Sequence, residues 1–127
     1  MLKLQHAVTS LVAETVIAAF ARYLESDGWS VTHEVDFCDL VAQRDGQRIY
    51  AEVKGRTEGV GIDADTMYGQ ILRRMPLDAD DQPVEFAVVV PSGAALRAAL
   101  RVPERVRELL GISVYSVDEG DLVHGPI

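Results

Sequence analysis

No pair of neighbours limits the fold of this chain as much as Asp45-Gly46. The pair lies between two segments of alternating apolar residues, and Asp-Gly in that setting signals a two-residue hairpin, because both central positions of a type I′ turn need positive φ. With Arg44 opposite Gln47, every outward step has a defined partner. Asp39 then faces Glu52, and Lys54 follows two residues further along the same sheet face. The period of two sends Cys38, Leu40 and Ala42, with Ile49, Ala51 and Val53, to the other face, which reads as core.

The polar face gathers two acids and an amine. Directly opposed carboxylates about 5 Å apart repel by roughly 3 kcal/mol at an effective dielectric near 20, so a strand pair does not normally carry them. A divalent cation reverses that sign. Hard oxygen ligands in a small cluster suit Mg²⁺ or Mn²⁺, which keep several waters and take only one or two protein carboxylates. The plainer reading is a solvated strand face with an ordinary Lys-Glu pair, since charged residues usually point to water. Composition does not choose between the two.

Length and composition narrow the class. The 127 residues suffice for one domain with its own core, so residues 1–127 are read as a single unit. Apolar residues make up 48% and charged residues 25%, as in ordinary globular proteins. A lone cysteine, Cys38, excludes an internal disulfide framework and fits a reducing compartment. No run of eighteen apolar residues suggests a membrane span, and the first residues lack the pattern of a signal peptide. The expected location is therefore cytoplasmic.

Along the chain, an apolar stripe through Val8, Leu11, Val12, Val16, Ala19, Phe20, Tyr23 and Leu24 predicts a helix from about Leu4 to Ser26, ended by Gly28. Strands are expected near Trp29 to Val35, Cys38 to Arg44 and Gln47 to Lys54. Gly55 to Asp65 reads as a loop, and a helix from about Thr66 to Met75 stops at Pro76. The apolar run Val84 to Val90 predicts a strand covered on both faces and central in its sheet. A helical stretch from Gly93 to Leu110 follows, capped by Ser92, interrupted or restarted at Pro103 and stopped by Gly111. Strands Ile112 to Val117 and Leu122 to His124 complete the order.

The order helix, three strands, helix, strand, helix, strand, with Cys38-Asp39 on the second strand and Glu52-Val53-Lys54 on the third, resembles the PD-(D/E)XK nuclease superfamily. The stretch from Gly28 to Arg56 looks most like the small Holliday junction resolvases. One position departs from the motif: Cys38 stands where the family usually has Pro. The resemblance implies an α/β fold of the restriction-endonuclease-like kind, an αβββαβ core with a mixed central sheet flanked by helices, plus a C-terminal helix and strand. It implies Asp39, Glu52 and the Val53 carbonyl as ligands of Mg²⁺ or Mn²⁺, and Lys54 positioning the water that hydrolyses a phosphodiester of DNA. Several relatives carry a Gln on the helix after the motif, matched here by Gln70, and some carry an extra acid on the first helix, matched by Glu14. Gln70 reads equally well as an exposed helix residue and Glu14 as a surface acid.

Arg56, Arg73 and Arg74 are the candidate phosphate contacts, from their positions after the motif strand and at the end of the Gln70 helix. Arg97, Arg101 and Arg105 recur every four residues, but Glu104 and Glu108 interleave with them as in a salt-bridged solvent face. The formal charge of −8 opposes non-specific DNA binding, although ten of the twelve basic residues are Arg, the better phosphate fork. A partner protein that supplies DNA affinity would offset that charge, and a homodimer would serve to cut two strands or a branched structure. His6, His33 and His124 have no partners at zinc spacing, and Gly55 to Gly61 lacks the Lys-Ser/Thr of a phosphate loop. Two functions stay open: a metal-dependent nuclease, and a non-catalytic module of the same fold serving as a recognition or regulatory subunit of a larger nucleic-acid-processing complex.

Overall fold

The computed structural model describes residues 15–35, 38–56, 61–75 and 83–127. Residues 15–26 form helix α1, which buries Val16, Ala19, Phe20 and Leu24. Gly28, at φ 86°, turns the chain out of it, and the Trp29 N–H donates to the Leu24 carbonyl at 3.1 Å. The part of the expected first helix that includes Glu14 lies outside the described residues.

The strands are β1 Ser30–Val35, β2 Cys38–Arg44, β3 Gln47–Val53, β4 Val84–Pro91, β5 Ile112–Val117 and β6 Val123–His124. They form one mixed sheet in sequence order, six strands wide. β1, β2 and β3 are an antiparallel meander, β4 and β5 run parallel to β3, and β6 returns antiparallel at the far edge. The hairpin register is the one the turn dictates, from Arg44↔Gln47 outward to Leu40↔Ala51. Asp45 and Gly46 both take positive φ, 49° and 80°, as the turn type requires.

Helices cover both faces of the sheet. α1 packs on Leu40, Ala42, Ile49, Ala51, Ala87 and Val89, the face expected from the alternation of β2 and β3. The Cys38 side chain is not among those described. The other face lies under α2 Gly61–Arg74 and α3 Ala94–Ala99, whose Met67, Tyr68, Ile71, Ala95 and Ala99 meet Phe86, Val88, Val90 and Val114. β4 is central and covered on both sides, so Val88, Val89 and Val90 are fully buried, each side chain contributing roughly 1.5–3 kcal/mol. The Tyr68 hydroxyl donates to the Ala99 carbonyl at 2.6 Å and ties α2 to α3.

Two expected boundaries are corrected. α2 begins at Gly61, before the expected start at Thr66, so the last part of the Gly-rich segment is helical. The buried series Ala64, Met67, Tyr68 and Ile71 keeps helical spacing and gives that early turn an apolar face to pack. The expected break at Pro103 is found: the stretch from Gly93 to Leu110 is two helices, α3 and α4 Glu104–Leu110, with Pro103 as the cap of the second. Ser92 does not cap α3: Gly93 holds that position at φ 98°, and the Ser92 N–H donates instead to the Val117 carbonyl at 3.0 Å. No described helix is long and apolar enough to cross a membrane.

Candidate functional site

Four buried polar or charged side chains occur among the described residues, and Glu52 and Lys54 are two of them, 5% and 2% exposed. They stand two positions apart where β3 leaves the sheet, on the face under α2. A solvated strand face is therefore excluded for both. Burying charge is unfavourable unless it is compensated, so their presence points to a use beyond packing.

Asp39 joins them through the way the hairpin ends. The regular ladder stops at Leu40↔Ala51, and one step beyond, the Asp39 carboxylate takes the place of a backbone acceptor. Its Oδ2 accepts the Val53 N–H at 2.7 Å. This bond fixes the Asp39 rotamer and holds the ends of β2 and β3 together where their backbones part. Val53, expected to contribute its carbonyl to a metal, enters the described site through its N–H. The Lys54 N–H donates to the Val89 carbonyl at 2.9 Å, so the backbone carrying Lys54 stays tied to the central strand.

Glu52 carries the electrostatic tension of the site. Burial, and then the charge of Asp39, push its carboxyl from 4.5 up to about 7, with a hydrogen bond to Asp39 adding to the rise. Arg74, from the last turn of α2, works against them. Its Nε lies 3.2 Å from Glu52 Oε1, an ion pair in which the two atoms lack the alignment of a hydrogen bond. Sequence position suggested a phosphate contact for Arg74; the structure turns it inward to the acid.

Gln70 is half-buried, one helical turn before Arg74 on α2. Arg73 is exposed and donates from Nε to the Gly69 carbonyl at 3.3 Å. Arg56 reaches away from the acids. Its guanidinium donates to Thr15 Oγ1 at 3.0 Å and to the Asp118 carbonyl at 2.7 Å, and pairs with Asp121 at 3.1 Å. These contacts tie the backbone just after Lys54 to α1 and to the turn between β5 and β6. Arg56→Ala should lower stability in urea unfolding by about 1–2 kcal/mol, as expected for loss of charge-assisted hydrogen bonds at a partly exposed residue. Arg97, Arg101 and Arg105 are exposed but fall on two helices and the link between them, so they form no continuous helical stripe.

The donor set fits a hard divalent cation in part. Asp39 and Glu52 supply carboxylate oxygens, whose mutual repulsion a cation relieves. No group of three or more His, Cys, Asp or Glu gathers among the described residues, so further ligands would be backbone oxygen, water or a residue outside them. A cleft of about 370 Å³ lies elsewhere, at the hairpin tip between Gly28, Ser30 and Arg44. Arg44 there pairs with Asp27 at 2.9 Å and stacks over the Trp29 ring, contacts that brace the turn after α1. The buried charges, not that cleft, mark the candidate site. No family model matches this chain, and neither the curated proteins nor the solved structures include a match.

Proposed function

We propose that this protein is a divalent-cation-dependent nuclease of the PD-(D/E)XK kind, hydrolysing phosphodiester bonds in DNA. The observation that carries the proposal is the burial of Glu52 and Lys54 together, with Asp39 hydrogen-bonded across to Val53 beside them. The order of elements supports it too: α1, an antiparallel β1-β2-β3 meander, α2, then β4 parallel to β3. The same order is expected of the αβββαβ core of the superfamily, to which α3, α4, β5 and β6 would be additions.

Asp39 and Glu52 would hold Mg²⁺ or Mn²⁺. The bound ion supplies a water of lowered pKa and neutralises charge developing on the phosphate oxygens. Lys54 holds a fixed ammonium in a water-poor site, where a charge that needs no reorganisation favours the transition state. The Val53 N–H keeps Asp39 aimed. Gln70, half-buried on α2, would orient the phosphate or water. Asp39 is the more open of the two acids, so the scissile phosphate approaches from its side. DNA affinity has to overcome a formal charge of −8, which favours a basic partner.

The second reading, a non-catalytic module, draws on one observation: Arg74 already offsets the charge of Glu52 without a metal. Incubation with supercoiled, linear, single-stranded and branched DNA in Mg²⁺ or Mn²⁺ separates the two. The nuclease cleaves at least one of these, and both EDTA and Asp39→Ala abolish the cleavage. Cleavage that survives in Asp39→Ala would place the activity at another site, and a folded protein that cuts none of them would leave the module.

A further inference from the structure

We infer that Arg74 is the resident counter-cation of the acidic pair, and that a divalent ion enters only by displacing its guanidinium from Glu52. This rests on the metal-site reading of Asp39 and Glu52 and adds to it a built-in closed state. Three observations converge. Arg74 Nε stands 3.2 Å from Glu52 Oε1, one of the two oxygens this acid has to offer an ion. The Glu52 side chain is 7% exposed, so little solvent screens the contact, while that of Arg74, in the last turn of α2, is 21% exposed and keeps some contact with solvent. Nε and Oε1 face each other without a hydrogen bond's alignment, so this contact between them is held by charge, the property a metal ion shares.

Metal and guanidinium exclude each other at Glu52, because both are cations drawn to the same oxygen. Arg74 therefore sets the concentration of metal at which the site fills. Once displaced, its guanidinium needs another anion, and a DNA phosphate would supply one. Phosphate and metal would then assist each other's binding through this one side chain, and by linkage the assistance is equal in both directions. Arg74 is thus a positioning and gating residue, acting through Glu52.

The test is Mn²⁺ affinity, read from the loss of the free-ion electron paramagnetic resonance signal in wild type, Arg74→Ala and Arg74→Lys, with folding checked by circular dichroism. Removing the competing charge should tighten Mn²⁺ binding by about tenfold in Arg74→Ala, the exchange value of a partly buried ion pair of about 1.4 kcal/mol. Arg74→Lys keeps the charge and the fold, and should stay within about threefold of wild type. A wild-type protein that binds too weakly to measure, beside an alanine variant that binds, also supports the inference. Equal affinity in all three forms overturns it and leaves the metal-site reading standing. Binding by none of the folded forms overturns both.

Discussion

Glu52→Gln is expected to make the metal-free protein more stable at pH 8, by about 2–3 kcal/mol, while removing metal-dependent cleavage. The cause is the carboxyl group, pushed from 4.5 up to about 7 chiefly by burial and next by Asp39. A tenfold weakening of an acid on folding corresponds to about 1.4 kcal/mol, so ionised Glu52 opposes folding by roughly 3 kcal/mol. Below pH 4.5 the group is protonated in both folded and unfolded chains, and the penalty is absent. Between 4.5 and about 7 the unfolded chain gives up its proton first, so stability falls as pH rises. Above about 7 the penalty is complete. Glutamine keeps the shape without the charge, and the pull of Arg74 is already contained in the value of about 7, so its loss is not counted a second time. Urea unfolding in EDTA at pH 5 and pH 8 should show the difference between wild type and variant opening as pH rises. A variant no more stable than wild type at pH 8 would mean that Arg74 already neutralises Glu52 in full.

Lys54→Met is expected to lower the cleavage rate by about 10²–10³-fold, the usual consequence of removing one fixed donor aimed at developing charge. Methionine approximates the length and apolar stem of the buried lysine, so the substitution tests the ammonium rather than the packing. Binding of Mn²⁺ should not weaken, because Lys54 supplies no ligand in the proposed site. Asp39→Ala is expected to behave differently, losing metal and rate together. Rates measured at rising Mg²⁺ distinguish the two variants. If excess Mg²⁺ restored Lys54→Met to the wild-type rate, Lys54 would act by shaping the metal site and not through its own charge.

The hairpin was the part of the fold most legible in sequence, and the reason is local. Asp45-Gly46 admits few turn geometries, and a side-chain period of two carries that geometry unchanged from Arg44↔Gln47 to Leu40↔Ala51. The central position of β4 was legible for a related reason, since an unbroken run of valines has no polar side to offer water. Contacts made across long separations were not legible. The burial of Glu52 and Lys54 depends on α2 crossing over β3, and the alternation of β3 is the same whether that face meets a helix or solvent. Arg74 and Arg56 read alike in sequence, as basic residues near a motif. Only the packed structure turns one inward to Glu52 and the other away to Thr15, Asp118 and Asp121. The start of α2 was hidden by glycines that resemble a loop, although Ala64, Met67, Tyr68 and Ile71 already carried helical spacing. Splitting of the helical stretch at Pro103 was visible from the proline itself, but the use of Gly93 in place of Ser92 as the cap was not, because it depends on the sharp turn at the end of β4.

One divalent cation shared by Asp39 and Glu52 beside the Lys54 ammonium is the point on which the proposed chemistry turns. Crystals soaked in Mn²⁺, with anomalous scattering collected at the manganese edge, would locate that ion. An anomalous peak between the two carboxylates is expected, with the Arg74 guanidinium moved off Glu52. Crystals that show no peak there, with Arg74 still on Glu52 at an Mn²⁺ concentration that supports DNA cleavage, would contradict it.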